Sequence, residues 1–202
     1  MAPGSNRSVF CAAVFLLAAT VLVHAMDATR PALSQRPPAK ARPAREVGNP
    51  VGYGTIGLPA PVVEMREAIL AAARSGQLED LRTAIELNEI KPVIADTGVG
   101  DPIAHLKALS ADGEGRDVLV ALSAILEAGW VALPLGRDLE NNRVYVWPHF
   151  VETGVRGLSP ERAAELSRLV APAEVAAMQV AGRYGSWRIG IGADGVWHFL
   201  TK

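Results

Sequence analysis

The sequence predicts a small α+β domain, and three observations carry that class. Apolar side chains recur every three to four residues from Val62 to Leu126, the spacing of one buried helical face. The period then shifts towards two in WVALPLG and RVYVWPHF. Near the C terminus, the β-rich runs SWRIGIG and VWHFLTK flank Ala193-Asp194-Gly195, and an Asp-Gly pair favours a tight hairpin because glycine takes positive φ at little cost. Helices first, then two extended segments, two more helices and a hairpin give segregated α and β regions in one domain over residues 61–202.

Before that domain, residues 1–25 read as an export signal. Arg7 precedes an apolar run of 15 residues from Val9 to Val23, short of the roughly 18 or more that span a membrane, and Val23 and Ala25 stand where a signal peptidase needs small side chains. Against this, Arg30, Arg36, Lys40, Arg42 and Arg45 follow the run, a charge distribution that leaves an uncleaved N-terminal membrane anchor as the alternative. The expected location is periplasmic or secreted, with no stable membrane span once the signal is removed. Cys11, the single cysteine, lies inside the signal, so the mature chain has neither disulfide nor thiol chemistry. Residues 26–60 hold Pro31, Pro37, Pro38, Pro43, Pro50 and Pro59 with scattered basic residues, the composition of a disordered linker. Gly48, Gly52, Gly54 and Gly57 do not form a phosphate loop, since no strand precedes them and no Lys-Ser/Thr follows.

Each later element has its own signal. Val62, Met65, Ile69 and Ala72 or Ala73 share a helical face that Gly76 terminates, and Leu78, Leu81 and Ile85 extend the pattern into a second helix, so the unit is a helical hairpin. AAARSGQLEDLRTAIE resembles half of one ankyrin repeat, but no second copy follows for it to stack on. A loop spans residues 90–100. Asp101 caps, and Pro102 opens, a short helix reaching Leu109; a stronger helix over residues 117–128 carries Val118, Leu119, Leu122, Ile125 and Leu126 and stops at Gly129. Pro134 and Pro148 place the following extended segments at least partly at sheet edges. Ser159 and Pro160 start another helix, Pro172 interrupts it, and residues 173–180 form the next.

RVYVWPHF and GRYGSWRIGIGADGVWHF resemble a set of exported bacterial proteins of uncharacterised function. The resemblance covers the C-terminal third to two thirds of the chain, rests on aromatic and glycine patterns, and implies export without implying any chemistry.

Composition excludes some partners. The whole chain carries 20 Lys plus Arg and 21 Asp plus Glu, and loss of Arg7 makes the mature chain slightly more acidic, so the basic excess that nucleic acid demands is lacking. Tyr145, Trp147, Phe150, Tyr184, Trp187, Trp197 and Phe199 crowd the C-terminal part. Alternation places Tyr145 with Trp147, and Trp197 with Phe199, on shared faces, where rings either fill the core or anchor a partner. The ligand or partner site is accordingly assigned to Tyr145, Trp147, His149, Trp187 and Trp197, with an envelope protein, a peptide or a glycan as the partner.

Polar candidates are sparser. His149 stands three residues before Glu152, and Asp138 or Asp194 could join them as a general base or metal site, although an imidazole just after a strand more often serves as a hydrogen-bonded structural group. Asp96, Asp101 and His105, with Glu114 and Asp117 beyond, form the most metal-like cluster, yet their spacing fits neither a zinc nor a calcium motif and Asp101 is explained as a cap. The DTG at Asp96 lacks a second copy, and no serine lies in a Gly-x-Ser-x-Gly setting. His198, between Trp197 and Phe199, is expected to face solvent. No cofactor or metal is assigned. The expected function is a non-catalytic accessory protein that binds a partner or small ligand through its aromatic C-terminal half; the alternative is a hydrolase or metal-dependent enzyme using His149, Glu152 and the Asp96/Asp101/His105 region. Export gives the first prediction: N-terminal sequencing of envelope-fraction protein should begin at Met26, whereas intact chain beginning at Met1 in membrane pellets would identify an uncleaved anchor.

Overall fold

The computed structural model describes residues 49–94, 100–136 and 142–202, all within one compact unit, Arg45–Lys202. The signal, most of the expected linker, Asp96 and Asp138 lie outside the described residues. Helix α1 (Ala60–Ser75) buries Val62, Met65, Ile69, Leu70, Ala72 and Ala73 and ends at left-handed Gly76, as its spacing predicts. The second helix begins as a 3-10 turn (Leu78–Asp80) and continues as α2 (Leu81–Glu86). Helix α3 (Pro102–Leu109) is capped by the Asp101 carboxylate, which accepts from the Ala104 N–H at 3.3 Å. Helix α4 (Arg116–Glu127) presents Val118, Leu119, Leu122, Ile125 and Leu126 to the core.

The strands join in one five-stranded mixed sheet of order β1-β5-β4-β3-β2. These are β1 (Val93–Ile94), β2 (Val131–Pro134), β3 (Arg143–Trp147), β4 (Arg188–Gly192) and β5 (Trp197–Thr201). Strand β1 lies within the expected loop; its two residues pair parallel to Phe199 and Leu200, too short a run for periodicity to reveal. Every other pairing is antiparallel. The predicted hairpin is β4–β5, turned at Gly195 (φ 89°) with the Gly195 N–H donating to the Gly192 carbonyl at 2.8 Å. The sheet edges are β1 and β2, and β2 ends on Pro134, as expected of that proline.

One face of the sheet, carrying Tyr145, Trp147, Ile189, Ile191, Trp197 and Leu200, packs with α1 and α4 in the main core. The opposite face groups Val131, Val144 and Val146 with Leu133, Val151 and Phe199. Trp197 and Phe199 therefore lie on opposite faces, contrary to the alternation expected of them. The cause is a β-bulge: Ile191 pairs with Trp197 and Gly190 with Phe199, so His198 is an extra residue that shifts the phase of β5. His198 consequently turns inward over Gly192, half-buried and with its Nε2 shielded, instead of facing solvent. Gly190 makes room for the ring opposite it, because a Cβ there would stand 2.4 Å from Phe199. Asn88 secures the bulge, its Oδ1 accepting from the Trp197 N–H at 2.7 Å while its amide donates to Ala84 and Ile85 carbonyls at the end of α2.

A second core, of Phe150, Val155, Leu166, Val170, Met178 and Tyr184, joins α5 (Phe150–Thr153), α6 (Pro160–Leu169) and α7 (Pro172–Ala181). Helix α6 starts at the predicted cap, with the Arg162 N–H donating to Ser159 Oγ at 3.4 Å. The last residues of the expected linker belong to the domain: Gly52 and Trp130 exchange backbone hydrogen bonds of 2.9 and 2.8 Å, and the Trp130 indole donates to the Gly54 carbonyl at 3.2 Å. No helix among the described residues is long and apolar enough to cross a membrane. Trp197 is fully buried, so Trp197→Ala should lower the unfolding free energy by about 3–5 kcal/mol. Trp187→Ala, at a half-buried ring, should cost less than half as much, and urea denaturation followed by circular dichroism measures both.

Candidate functional site

Gly129 lies where α4 gives way to β2, and both of its backbone polar groups are engaged. Its N–H donates to Glu165 Oε1 at 2.8 Å, and its carbonyl accepts from the His149 N–H at 2.7 Å. A side chain at this position would stand 2.7 Å from the His149 ring and 2.9 Å from the Tyr53 ring, so only glycine lets the three segments meet. Glu165 is 7% exposed in the middle of α6. Its Oε2 accepts from the Tyr53 hydroxyl at 3.2 Å and pairs with His149 Nε2 at 3.2 Å.

His149 is completely buried, and its Nδ1 is 2.9 Å from Thr153 Oγ1. The directions of these bonds follow from the groups available. An ionised carboxylate only accepts, so Nε2 carries the imidazole proton and Nδ1 accepts from the Thr153 hydroxyl. Burial holds the imidazole below its ordinary value of 6.5 although Glu165 pulls the other way, and His149 is therefore neutral at neutral pH. Burial and the Glu165 charge push the Tyr53 phenol up, so it remains a donor. A carboxylate with three donors around it is a satisfied buried charge.

Glu165 and Tyr53 also border a cleft of about 490 Å³ between α4 and α6, within the range of small-molecule sites. Ala124, Ala128 and Leu169 supply its apolar wall; Glu127, Glu161, Arg162 and Arg168 supply its charges. Glu127 is paired with Arg74 at 3.0 Å, and a hydrogen bond from Ser159 holds the Glu161 carboxyl below the usual range. The guanidinium groups of Arg162 and Arg168 make no ion pair among the described residues.

The residues expected to form the site are dispersed. Tyr145 (7% exposed), Trp147 (0%) and Trp197 (0%) sit in the main core, where the Trp130 ring stands 5.4 Å from Tyr145 and 6.5 Å from Trp147, and they offer a partner almost no surface. This corrects their assignment to a binding surface: the sheet face that carries them is the one α1 and α4 cover. Trp187 alone of the five reaches the surface, half-buried with the Lys202 ammonium 5.8 Å from its ring centre. His149 has a carboxylate partner, but it is Glu165 rather than Glu152, which is exposed. Asp101 is taken up by Arg82, which holds its carboxyl below the usual range and bonds both its oxygens at 3.0 and 3.2 Å. Among the described residues, His105 Nε2 is buried without a hydrogen bond, and no group of three or more potential metal ligands exists.

Sequence reasoning missed Tyr53, Glu165, Arg162 and Arg168. Tyr53 stood in a segment read as linker, and the polar residues of α6 carry no spacing or motif that singles them out. Comparison with protein-family models, curated proteins and solved structures found no match to the chain.

The buried imidazole sets a pH dependence. Because its folded value is depressed, the unfolded chain binds the additional proton first, and stability falls as pH drops below about 6.5. The urea midpoint should therefore be lower at about pH 5.5 than at pH 7.5, with a smaller difference in His149→Gln; a wild-type midpoint that rises on acidification contradicts this.

Proposed function

We propose that this chain is an exported, non-catalytic accessory protein that binds a small ligand, or a segment of an envelope partner, in the cleft between α4 and α6. The observation that carries the reading is the charge state of that cleft: its acids are engaged within the protein and its two guanidinium groups are not. Arg162, an unpaired and half-buried cation beside an apolar wall, is poorly solvated and gains by pairing with a bound group, to which exposed Arg168 adds its charge. Tyr53, Arg162, Glu165 and Arg168 thus take over the binding role expected of the buried aromatic residues.

One observation favours a second, hydrolytic reading. The hydrogen-bond chain from Thr153 through His149 to Glu165 has the order hydroxyl, base, carboxylate, the arrangement by which a base activates a nucleophile. It replaces the Glu152 and Asp96/Asp101/His105 constellation as the catalytic candidate. Thr153 does not line the cleft, however, and a threonine hydroxyl also satisfies a buried imidazole without doing chemistry.

A ligand-observed NMR screen of small polar molecules, run on the wild type and on Ala124→Trp, which fills the half-exposed cleft wall, separates the readings. Binders lost in Ala124→Trp are expected; a screen yielding none that depend on the cleft refutes the binding role. Turnover of p-nitrophenyl acetate that disappears in both Thr153→Val and His149→Gln, with the fold retained, would establish the hydrolytic one.

A further inference from the structure

Most buried or half-buried guanidinium groups in this domain have a protein partner. Arg66 donates through Nε and a terminal nitrogen to the Leu126 carbonyl at 3.1 and 2.7 Å, closing the end of α4. Half-buried Arg82 bonds both oxygens of Asp101 at 3.0 and 3.2 Å. Arg162 is different: it is half-buried in the cleft wall, and among the described residues its guanidinium has neither a hydrogen bond nor an ion pair. Arg168, six residues further along α6, is exposed, lines the same cleft and likewise makes no hydrogen bond or ion pair among the described residues.

Three acids border the cleft, yet none is free to neutralise these arginines. Glu165 is saturated by Gly129, Tyr53 and His149; Glu127 is held by Arg74; Glu161 is held by Ser159. Their charges nevertheless remain at the rim and limit what can enter. A phosphate and a carboxylate meet the same carboxylates and the same two guanidinium groups, but inorganic phosphate leaves the apolar wall uncovered, whereas an organic acid covers it. The planar fork of a guanidinium matches a carboxylate, and Ala124, Ala128, Leu169 and the Tyr53 ring leave an apolar wall for the body of the ligand.

We propose that the cleft binds a monocarboxylate with a small apolar body, its carboxylate held by Arg162 and Arg168. The inference rests on the binding role given to the cleft above and specifies its ligand class. A free acylated amino acid and the C-terminal residue of a peptide present the same chemistry.

Titration of the purified protein with N-acetyl-leucine, N-acetyl-leucine amide, the peptide N-acetyl-Ala-Ala-Leu and inorganic phosphate, read by amide chemical shifts, tests the proposal. The acid should shift residues lining the cleft, and the amide should bind about tenfold or more weakly because the charged hydrogen bonds are lost. Arg162→Gln and Arg168→Gln should each abolish the preference for acid over amide while leaving the remaining spectrum intact. Tighter binding of the peptide than of N-acetyl-leucine supports the proposal with a C terminus as the source, and equal binding supports it with a free acid. Equal binding of acid and amide, retained preference in Arg162→Gln, or phosphate binding more tightly than the acid would overturn it. If acid and amide bind alike but both are lost in Ala124→Trp, the cleft remains a binding site and only the carboxylate assignment fails. If none of the probes shifts a cleft resonance, the carboxylate proposal is wrong, and the wider screen alone decides whether the cleft binds anything.

Discussion

The meeting of three chain segments at Gly129 is the constraint on which the rest of the domain depends. The end of α4, the turn from β3 into α5, and the segment carrying Tyr53 converge there, and the absence of a side chain allows His149 and Tyr53 to close over the backbone. Glu165 reaches into this junction from α6 and binds all three: the Gly129 amide, the imidazole and the phenol. The two hydrophobic cores are thereby joined through a polar centre, with the sheet and α1 on one side and α5 to α7 on the other. A buried carboxylate is tolerable only when its acceptor sites are filled, so loss of any one donor leaves a costly vacancy in the others' geometry.

Where a local interaction decides the structure, the sequence is readable. Asp101 and Ser159 cap the helices they precede, Gly76 ends α1, and Gly195 turns the final hairpin, because each effect operates within a few residues. The α+β class follows from periodicity and the Asp194-Gly195 turn. What escaped is non-local or small. A single-residue bulge at His198 reverses the phase of β5 and separates Phe199 from Trp197. Arg66 sits on a helical face as a charged residue and is nevertheless buried, since its partner is a carbonyl 60 positions away. Glu165 is likewise polar in a polar-looking helix; only its distance from Gly129, 36 residues earlier in the chain, reveals its role.

The aromatic residues show the same limit from the other side. Their concentration in the C-terminal half is visible at once, but composition does not distinguish a ring that packs from a ring that binds. Packing prevails for Trp147 and Trp197, whose large surfaces fill the layer between the sheet and the helices α1 and α4. The cleft between α4 and α6 is lined instead by alanines, a leucine, charged side chains and one tyrosine.

Both borders of the sheet are blunt. Strand β1 has two residues, and β2 ends on a proline that lacks an N–H, while Gly52 has already taken the backbone groups of Trp130 immediately before β2. Exposed strand edges are templates on which other chains add, and they drive aggregation and fibril growth when long and flat. Among the described residues, neither border offers a long, flat run of unpaired backbone. Protection against runaway β-association is thus built into strand length and proline placement, with no cysteine in the domain to lock the fold covalently.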